Sequence, residues 1–362
     1  MHHWIDASNA LADFLDRHAT QTTAFLDTEF MRVDTFYPRL ALLQVSFDGD
    51  IALVDPLTLG GIGGLAGRIA APQTLAVMHS ASEDLEALAA FLPGGLGRLF
   101  DTQIAAALSG FGLGLSYQKL VAAVTGIELP KAETRSDWLR RPLSAEQLEY
   151  AAQDVEHLPA VHAELVGRLD RLGRRAWHAE DCARLVERAR RREGEAEPQR
   201  AFRSAAEWPR EKQALLRRLL RWREATARRE DRPRTWLLDD AHAAEFCLQP
   251  PQDAEEIYQR GKGLRALRGP LRNELLAEIR RPLDAGELDF AAIPPLPGPA
   301  EKRILAAMRD AVAKLAAQLD LPEGLLCARR HLETLIADRT WPESLEGWRR
   351  PLLHEALMRC LP

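Results

Sequence analysis

Short apolar runs come early in this chain, and helical spacing comes late. Thr23 to Leu26 is short, apolar and partly aromatic, which predicts a buried strand. Leu75 to Met78 is a second apolar run. Strand side chains alternate between faces, so Asp27 and Glu29, which follow the first run, project the same way. Ser80 with Glu83 matches a capping box, which predicts a helix start after the second run with Asp84 in its first turn. Ser144 with Gln147 is another capping box. On the helix it opens, Tyr150 and Asp154 lie four residues apart and share a face.

The wider pattern predicts an organisation. Residues 1–55 hold a helix and three strands, the last two joined by the turn Asp48-Gly49-Asp50. Strands and helices alternate to about residue 110. Gly110 to Gly114 is a loop and not a phosphate cradle, since no Lys-Ser/Thr follows it. Helices dominate after residue 144. The chain therefore divides into an α/β domain at 1–165, a helical connector at 166–206, and two helical modules at 207–290 and 300–362. In the first module Leu215, Leu216, Leu219, Leu220 and Trp222 recur at helical spacing between arginines. Gln249-Pro250-Pro251-Gln252 forces a turn within it. Ile293 to Pro299 is too rich in proline for a helix and reads as a linker.

Length agrees with this division, because 362 residues exceed one typical core. No apolar run approaches a membrane span, and Met1-His2-His3-Trp4 lacks the pattern of a signal peptide. Cys182, Cys247, Cys327 and Cys360 are scattered, with neither metal-site nor disulfide-scaffold spacing. A reducing, cytoplasmic setting suits them. The net charge of −5 conceals an asymmetry. Residues 1–165 hold 10 Lys/Arg against 21 Asp/Glu, whereas residues 184–234 hold 17 against 9. The basic stretch, with Arg217, Arg218, Arg221 and Arg223, suits a phosphate backbone. It equally suits a solvated helix whose arginines pair with neighbouring acids.

Chemistry enters with the acids. Clustered carboxylates repel one another and resist burial, so a buried cluster points to bound cations. Asp27, Glu29, Asp84 and Asp154 offer only hard oxygen ligands, which favour Mg²⁺ or Mn²⁺ over zinc. Two such ions about 4 Å apart are the usual apparatus for cleaving a phosphodiester. Each part also has an ordinary reading: a solvated strand edge, a helix-dipole partner, a core aromatic beside a surface acid. Their order and spacing together match one arrangement.

That arrangement resembles the ribonuclease D family, the tyrosine subclass of DEDD 3′→5′ exonucleases. LDTEFMRVDTFYPRLALLQ, from Leu26 to Gln44, is similar to the first exonuclease motif, and HSASEDLEAL, from His79 to Leu88, to the second. SDWLRRPL, from Ser136 to Leu143, with EYAAQDV, from Glu149 to Val155, is similar to the third. The sister subclass carries His five residues before the last Asp. Glu149 stands there, and Tyr150 fills the tyrosine position. The helical modules resemble HRDC domains. The first does so through Trp222-Arg223-Glu224 and DRPRTWLLDD, from Asp231 to Asp240, and the second through Gly347-Trp348-Arg349.

The resemblance implies an α/β ribonuclease-H-like exonuclease domain followed by all-α helical domains. It implies a 3′→5′ exoribonuclease that uses two divalent cations, Mg²⁺ or Mn²⁺, to release 5′-nucleotides. Its partner would be RNA with a free 3′ end, tRNA precursors among them, and no membrane. Asp27, Glu29, Asp84 and Asp154 would hold the metals, and Tyr150 would position the attacking water. Lys131, Trp138, Phe30 and His79 are candidates for contacting the terminal nucleotide. Trp138 suits a core position as well, and His79 a packed strand end. Nothing in the motifs senses a 2′-hydroxyl, so a DNA exonuclease is a rival reading, as is a chain that only binds RNA or a partner.

Overall fold

The computed structural model describes residues 2–130, 136–191 and 194–362. They form two compact units. The first comprises the described residues up to Met31, Arg39–Arg191 and Pro299–Pro362. The second comprises Arg32–Pro38 and the described residues of Arg192–Gly298.

A six-stranded mixed sheet organises the first unit. Its strands are β1 (His2–Ile5), β2 (Thr23–Met31), β3 (Arg39–Phe47), β4 (Asp50–Val54), β5 (Leu75–Met78) and β6 (Arg98–Asp101). The spatial order is β1-β4-β3-β2-β5-β6. β2, β3 and β4 run antiparallel to their neighbours within that trio, while β1, β5 and β6 join in parallel. Asp48 and Gly49 both take positive φ, 52° and 84°, as a two-residue hairpin turn between right-twisted strands requires. β1 is a fourth strand within residues 1–55, where the pattern predicts three. Its four residues are two histidines followed by Trp4 and Ile5, so no alternation announces it.

Period-two alternation sends the strand side chains into two cores. On one face lie Leu26, Leu43, Val45 and Phe47, with Phe14 from α1 (Ser8–Arg17) and Leu85 from α2 (Ser82–Leu88). On the other lie Phe25, Val77 and Phe100. Ala151 and Val155 of α3 (Ala145–Glu156) and Val161 and Leu165 of α4 (Leu158–Arg171) cover them. This second core continues into the C-terminal helices, through Leu305, Met308 and Val312 among others.

The Gly347-Trp348-Arg349 motif fastens those helices to α5 (Arg175–Arg190). Trp348 stacks on Trp177 at 4.5 Å with planes 8° apart. Arg349 grips Asp181 with two bonds, of 2.6 and 2.9 Å. Gly347 sits at φ 70° against the Glu180 carboxylate, where a Cβ would overlap it. The motif is thus a packing device within the first unit, with Trp348 buried in its core.

The second unit is helical. α6 (Arg210–Glu230) supplies Leu215, Leu216, Leu219 and Leu220 to a core completed by Phe246, by Ile257 of α7 (Ala254–Arg260) and by Leu275 of α8 (Gly269–Arg280). Gln249 to Gln252 separates two helices, and residues 291–298 carry no helix, both as the prolines require. The loop Arg32–Pro38 belongs to this unit. The Phe36 ring lies between the guanidinium groups of Arg228 and Arg234, and Asp231 accepts from the Phe36 and Tyr37 amides at 2.9 and 3.0 Å. Among the described residues, no helix is long and apolar enough to cross a membrane.

Candidate active site

The acids converge because the middle of β2, the first turn of α2 and the last turn of α3 meet at one place on the sheet. Asp27 and Glu29 follow the buried Phe25 and Leu26 on β2, facing Gln44 and Leu42 across β3. Asp154 comes from α3, whose Ser144–Gln147 capping box forms as expected. One carboxylate oxygen from each of Asp27, Glu29 and Asp154 lies within 4.8 Å of the others. All three side chains are half-buried, so they are desolvated yet reachable.

Asp84 is deeper, 7% exposed, in the first turn of α2. Its Oδ1 accepts from the Thr28 hydroxyl at 2.5 Å, which ties α2 to β2 between the two strand acids. The start of α2 departs from the sequence expectation. Ser80 takes φ 59° and Ala81 is the N-cap residue, with no side-chain cap. Asp101 does the capping from the end of β6, accepting from the Ala81 amide at 2.9 Å and the Ser80 amide at 3.4 Å. It also accepts from Gln103 and Ile104. A cap donated from another strand leaves no local signature, so sequence spacing could not find it.

The electrostatics record a cluster without compensating cations. No lysine or arginine among the described residues forms an ion pair with any of the four acids. Burial first, then Asp154, Asp84 and Glu29, holds the Asp27 carboxyl well above the ordinary carboxylate range. Burial, then Asp154 and Asp84, pushes Glu29 up to about 9. Burial pushes Asp84 up to about 6, against the Thr28 hydrogen bond. Burial and Asp84 push Asp154 up to about 7, against the lowering influence of the nearby Tyr150 hydroxyl. Carboxylates packed this way are stable only when protonated or when cations enter. The all-oxygen donor set fits Mg²⁺ or Mn²⁺.

Tyr150 is half-buried and lies one turn before Asp154 on the same helix face. Burial and the surrounding acids raise its pKa, so the phenol stays protonated. Tyr117, which sequence reasoning missed, lies beside the site as well. It is buried, and its hydroxyl donates to the Gln153 carbonyl at 3.2 Å.

The candidate substrate contacts are placed differently. Trp138 is buried at 4% exposure, with its ring centroid 6.1 Å from that of Tyr150. Phe30 is half-buried, just past the bulge that follows Glu29 on β2. His79 commits both ring nitrogens internally, Nδ1 to the Thr102 hydroxyl at 2.9 Å and Nε2 to the Leu115 carbonyl at 3.1 Å. Burial lowers its pKa. That is the packed strand-end histidine expected. Lys131 lies outside the described residues. Arg141, in the same motif as Trp138, forks onto Asp55 with bonds of 2.9 and 2.7 Å and anchors that segment to the sheet.

The arginines of α6 are largely spoken for. Arg217 pairs with Glu197 at 2.9 Å, Arg218 with Glu287 at 2.5 Å, and Arg223 with Asp240 at 2.6 Å. The ion-paired helix, not the open basic face, is what this segment forms.

Comparison with known proteins agrees with this geometry. A 3′–5′ exonuclease family model matches residues 2–170, and an HRDC domain model matches residues 212–268. Ribonuclease D of Xanthomonas oryzae is 44% identical over 362 residues, covering 100% of this chain and 99% of that one. Ribonuclease D of Pseudomonas paraeruginosa is 38% identical, covering 99% and 97%. The crystal structure of Escherichia coli RNase D, an exoribonuclease involved in structured RNA processing, superposes with a TM-score of 0.82 at 27% identity, covering 99% and 98%. At 44% and 38% identity to ribonucleases D along essentially the whole chain, and with a 3′–5′ exonuclease domain over residues 2–170, the chain belongs to the ribonuclease D family of 3′→5′ exoribonucleases.

Proposed function

We propose that this chain trims structured RNA from its 3′ end by two-metal-ion hydrolysis, releasing 5′-nucleotides, with tRNA precursors among its substrates. The convergence of Asp27, Glu29 and Asp154 within 4.8 Å, with no cation paired to them among the described residues, is the observation that carries this reading. Bound divalent ions would supply an activated water and stabilise the departing 3′-oxygen. Asp27, Glu29 and Asp154 would hold those ions directly, and Asp84 would complete the set from its deeper position beside Thr28.

Tyr150 keeps its proton and lies one turn from Asp154, so its hydroxyl can orient a water but is a poor base. The water oxygen bonds to the terminal phosphorus, the bond to the preceding 3′-oxygen breaks, and that oxygen leaves with a proton. Phe30 and Trp138 border the site, Phe30 beside Glu29 and Trp138 beside Tyr150. Phe30 and Lys131 are the terminal-nucleotide contacts in this reading, while Trp138 and His79 shape the pocket from behind.

The exonuclease domain at 1–165, the connector at 166–206 and two HRDC-like modules at 207–290 and 300–362 are the division we propose by descent. The HRDC match at 212–268 supports the first module. A cytoplasmic location suits the four free cysteines. The test is a precursor RNA with a 3′ extension, incubated with Mg²⁺ or Mn²⁺. Shortening one nucleotide at a time from the 3′ end supports the reading. Internal cuts, or trimming unaffected by Asp27→Asn, overturn it.

A further inference from the structure

Arg217, Arg218 and Arg223 of α6 are held by carboxylates from elsewhere in the unit, yet another set of cations in the same unit is not. A cleft of about 740 Å³ opens beside the segment joining α7 to α8. Lys262, Arg265, Arg268 and Arg272 line it, and no Asp or Glu does. None of the four takes part in an ion pair among the described residues. The contrast with Arg217, Arg218 and Arg223, each held by a carboxylate, is sharp within one small unit. Four like charges gathered without a counter-charge repel one another, a cost that a bound polyanion relieves.

The cleft also offers aromatic surface. Tyr258 is 57% exposed at its wall, with the Arg272 guanidinium 4.7 Å from the ring centroid. Arg265 lies 5.4 Å from the Trp236 ring. Cations that track a backbone, next to an exposed ring on which a base can stack, are what single-stranded nucleic acid binds. The size falls in the range of ordinary ligand sites.

We propose that the cleft formed by Tyr258, Lys262, Arg265, Arg268 and Arg272 holds a single-stranded stretch of the RNA substrate, and that it, rather than the arginine-rich face of α6, is the RNA-holding surface of the second unit. The occupant rests on the reading of the chain as an exoribonuclease. Phosphates contact the four cations, and a base lies on the Tyr258 face that Arg272 leaves open. The site adds affinity for long RNA without touching the reaction.

The experiment measures binding of a twenty-nucleotide unstructured RNA to the full chain in EDTA, across a salt series. Lys262→Ala/Arg265→Ala/Arg268→Ala should lower affinity at least tenfold at low salt and flatten the slope of log K against log[salt] by about 2, since each lost contact on a single strand contributes about 0.7. Tyr258→Ala should weaken binding about fivefold or more with the slope unchanged. The triple Lys262→Arg/Arg265→Lys/Arg268→Lys variant keeps the charge and should keep the slope, which separates charge loss from misfolding. Hydrolysis of a five-nucleotide RNA in Mg²⁺ should be unchanged in all three. Equal affinity and slope in wild type and the alanine triple overturn the cleft, whatever the activity. A wild-type chain inactive on RNA whose alanine triple still loses the slope would sink the catalytic reading and leave the cleft standing.

Discussion

Replacing Asp154 with Asn separates a metal site from an ordinary surface acid, because the two respond oppositely. Burial, with Asp84 adding, holds the Asp154 carboxyl at about 7 in the metal-free fold, against about 3.9 in an unfolded chain. The fold therefore prefers the protonated acid. Its contribution to stability is full below about pH 4 and is lost as pH rises through about 7. A difference of this size corresponds to about 4 kcal/mol for an isolated group at pH 8. The neighbouring carboxyls share protons and the side chain is half-buried, so roughly 2 kcal/mol is expected. Asn resembles the protonated acid at every pH. Asp154→Asn should therefore stabilise the metal-free protein by roughly 2 kcal/mol at pH 8, and by less than half of that at pH 5. Denaturant titration in EDTA at both pH values reads this directly. Repeating it with Mg²⁺ should stabilise the wild type by about 2.7 kcal/mol at a hundred times the dissociation constant, and the variant far less. A variant less stable than the wild type at pH 8 in EDTA would refute the argument that these carboxylates are held against their own repulsion.

Asp27→Asn should lower turnover about a thousandfold or more, the equivalent of several kcal/mol of transition-state stabilisation, while the metal-free chain stays folded. Near-normal activity in Mg²⁺ would remove Asp27 from the site. Tyr150→Phe keeps the ring beside Trp138 and loses only the hydroxyl, so single-turnover rates should fall with little change in RNA affinity. Arg349→Ala strands the Asp181 carboxylate, which is 10% exposed, and should cost about 3 kcal/mol in denaturant titration. Ending the chain near residue 206 removes Leu305, Met308 and Val312 from the core behind the sheet. That truncation should therefore melt well below the full chain, and an equal melting temperature would show the C-terminal helices to be dispensable.

The acids were legible in the sequence because each follows a local landmark: an apolar strand run, a helix start, a capped helix. The strand itself runs on to Met31, so Asp27 and Glu29 lie within it and not at its end. Their convergence needed the sheet order, which places β5 beside β2 and so brings Asp84 to Thr28. What escaped has a common physical cause. The cap on α2 comes from Asp101, the hydroxyl of Tyr117 reaches Gln153 over 36 residues, and the last helices share a core with the sheet. These are contacts between distant segments, and no periodicity encodes them. The proline-rich stretch before Pro299 reads as a linker between modules, and it does break the helix. Yet the helices beyond it rejoin the first unit, because their apolar faces and the Arg349–Asp181 pair find partners there. Charge counting overstated the basic face of α6 for a similar reason, since Glu197, Asp240 and Glu287 are distant in sequence from the arginines they neutralise.

The central claim is metal-dependent removal of nucleotides from an RNA 3′ end by the Asp27–Glu29–Asp154 cluster. The most direct measurement follows matched RNA and DNA oligonucleotides, each labelled at the 5′ end in one sample and at the 3′ end in another, with Mg²⁺, with Mn²⁺ and with EDTA. The expected result is a ladder of shortening 5′-labelled RNA and immediate release of 3′-labelled mononucleotide, both abolished by EDTA and by Asp154→Asn. RNA trimming that persists in EDTA, or mononucleotide released first from the 5′ label, would contradict it.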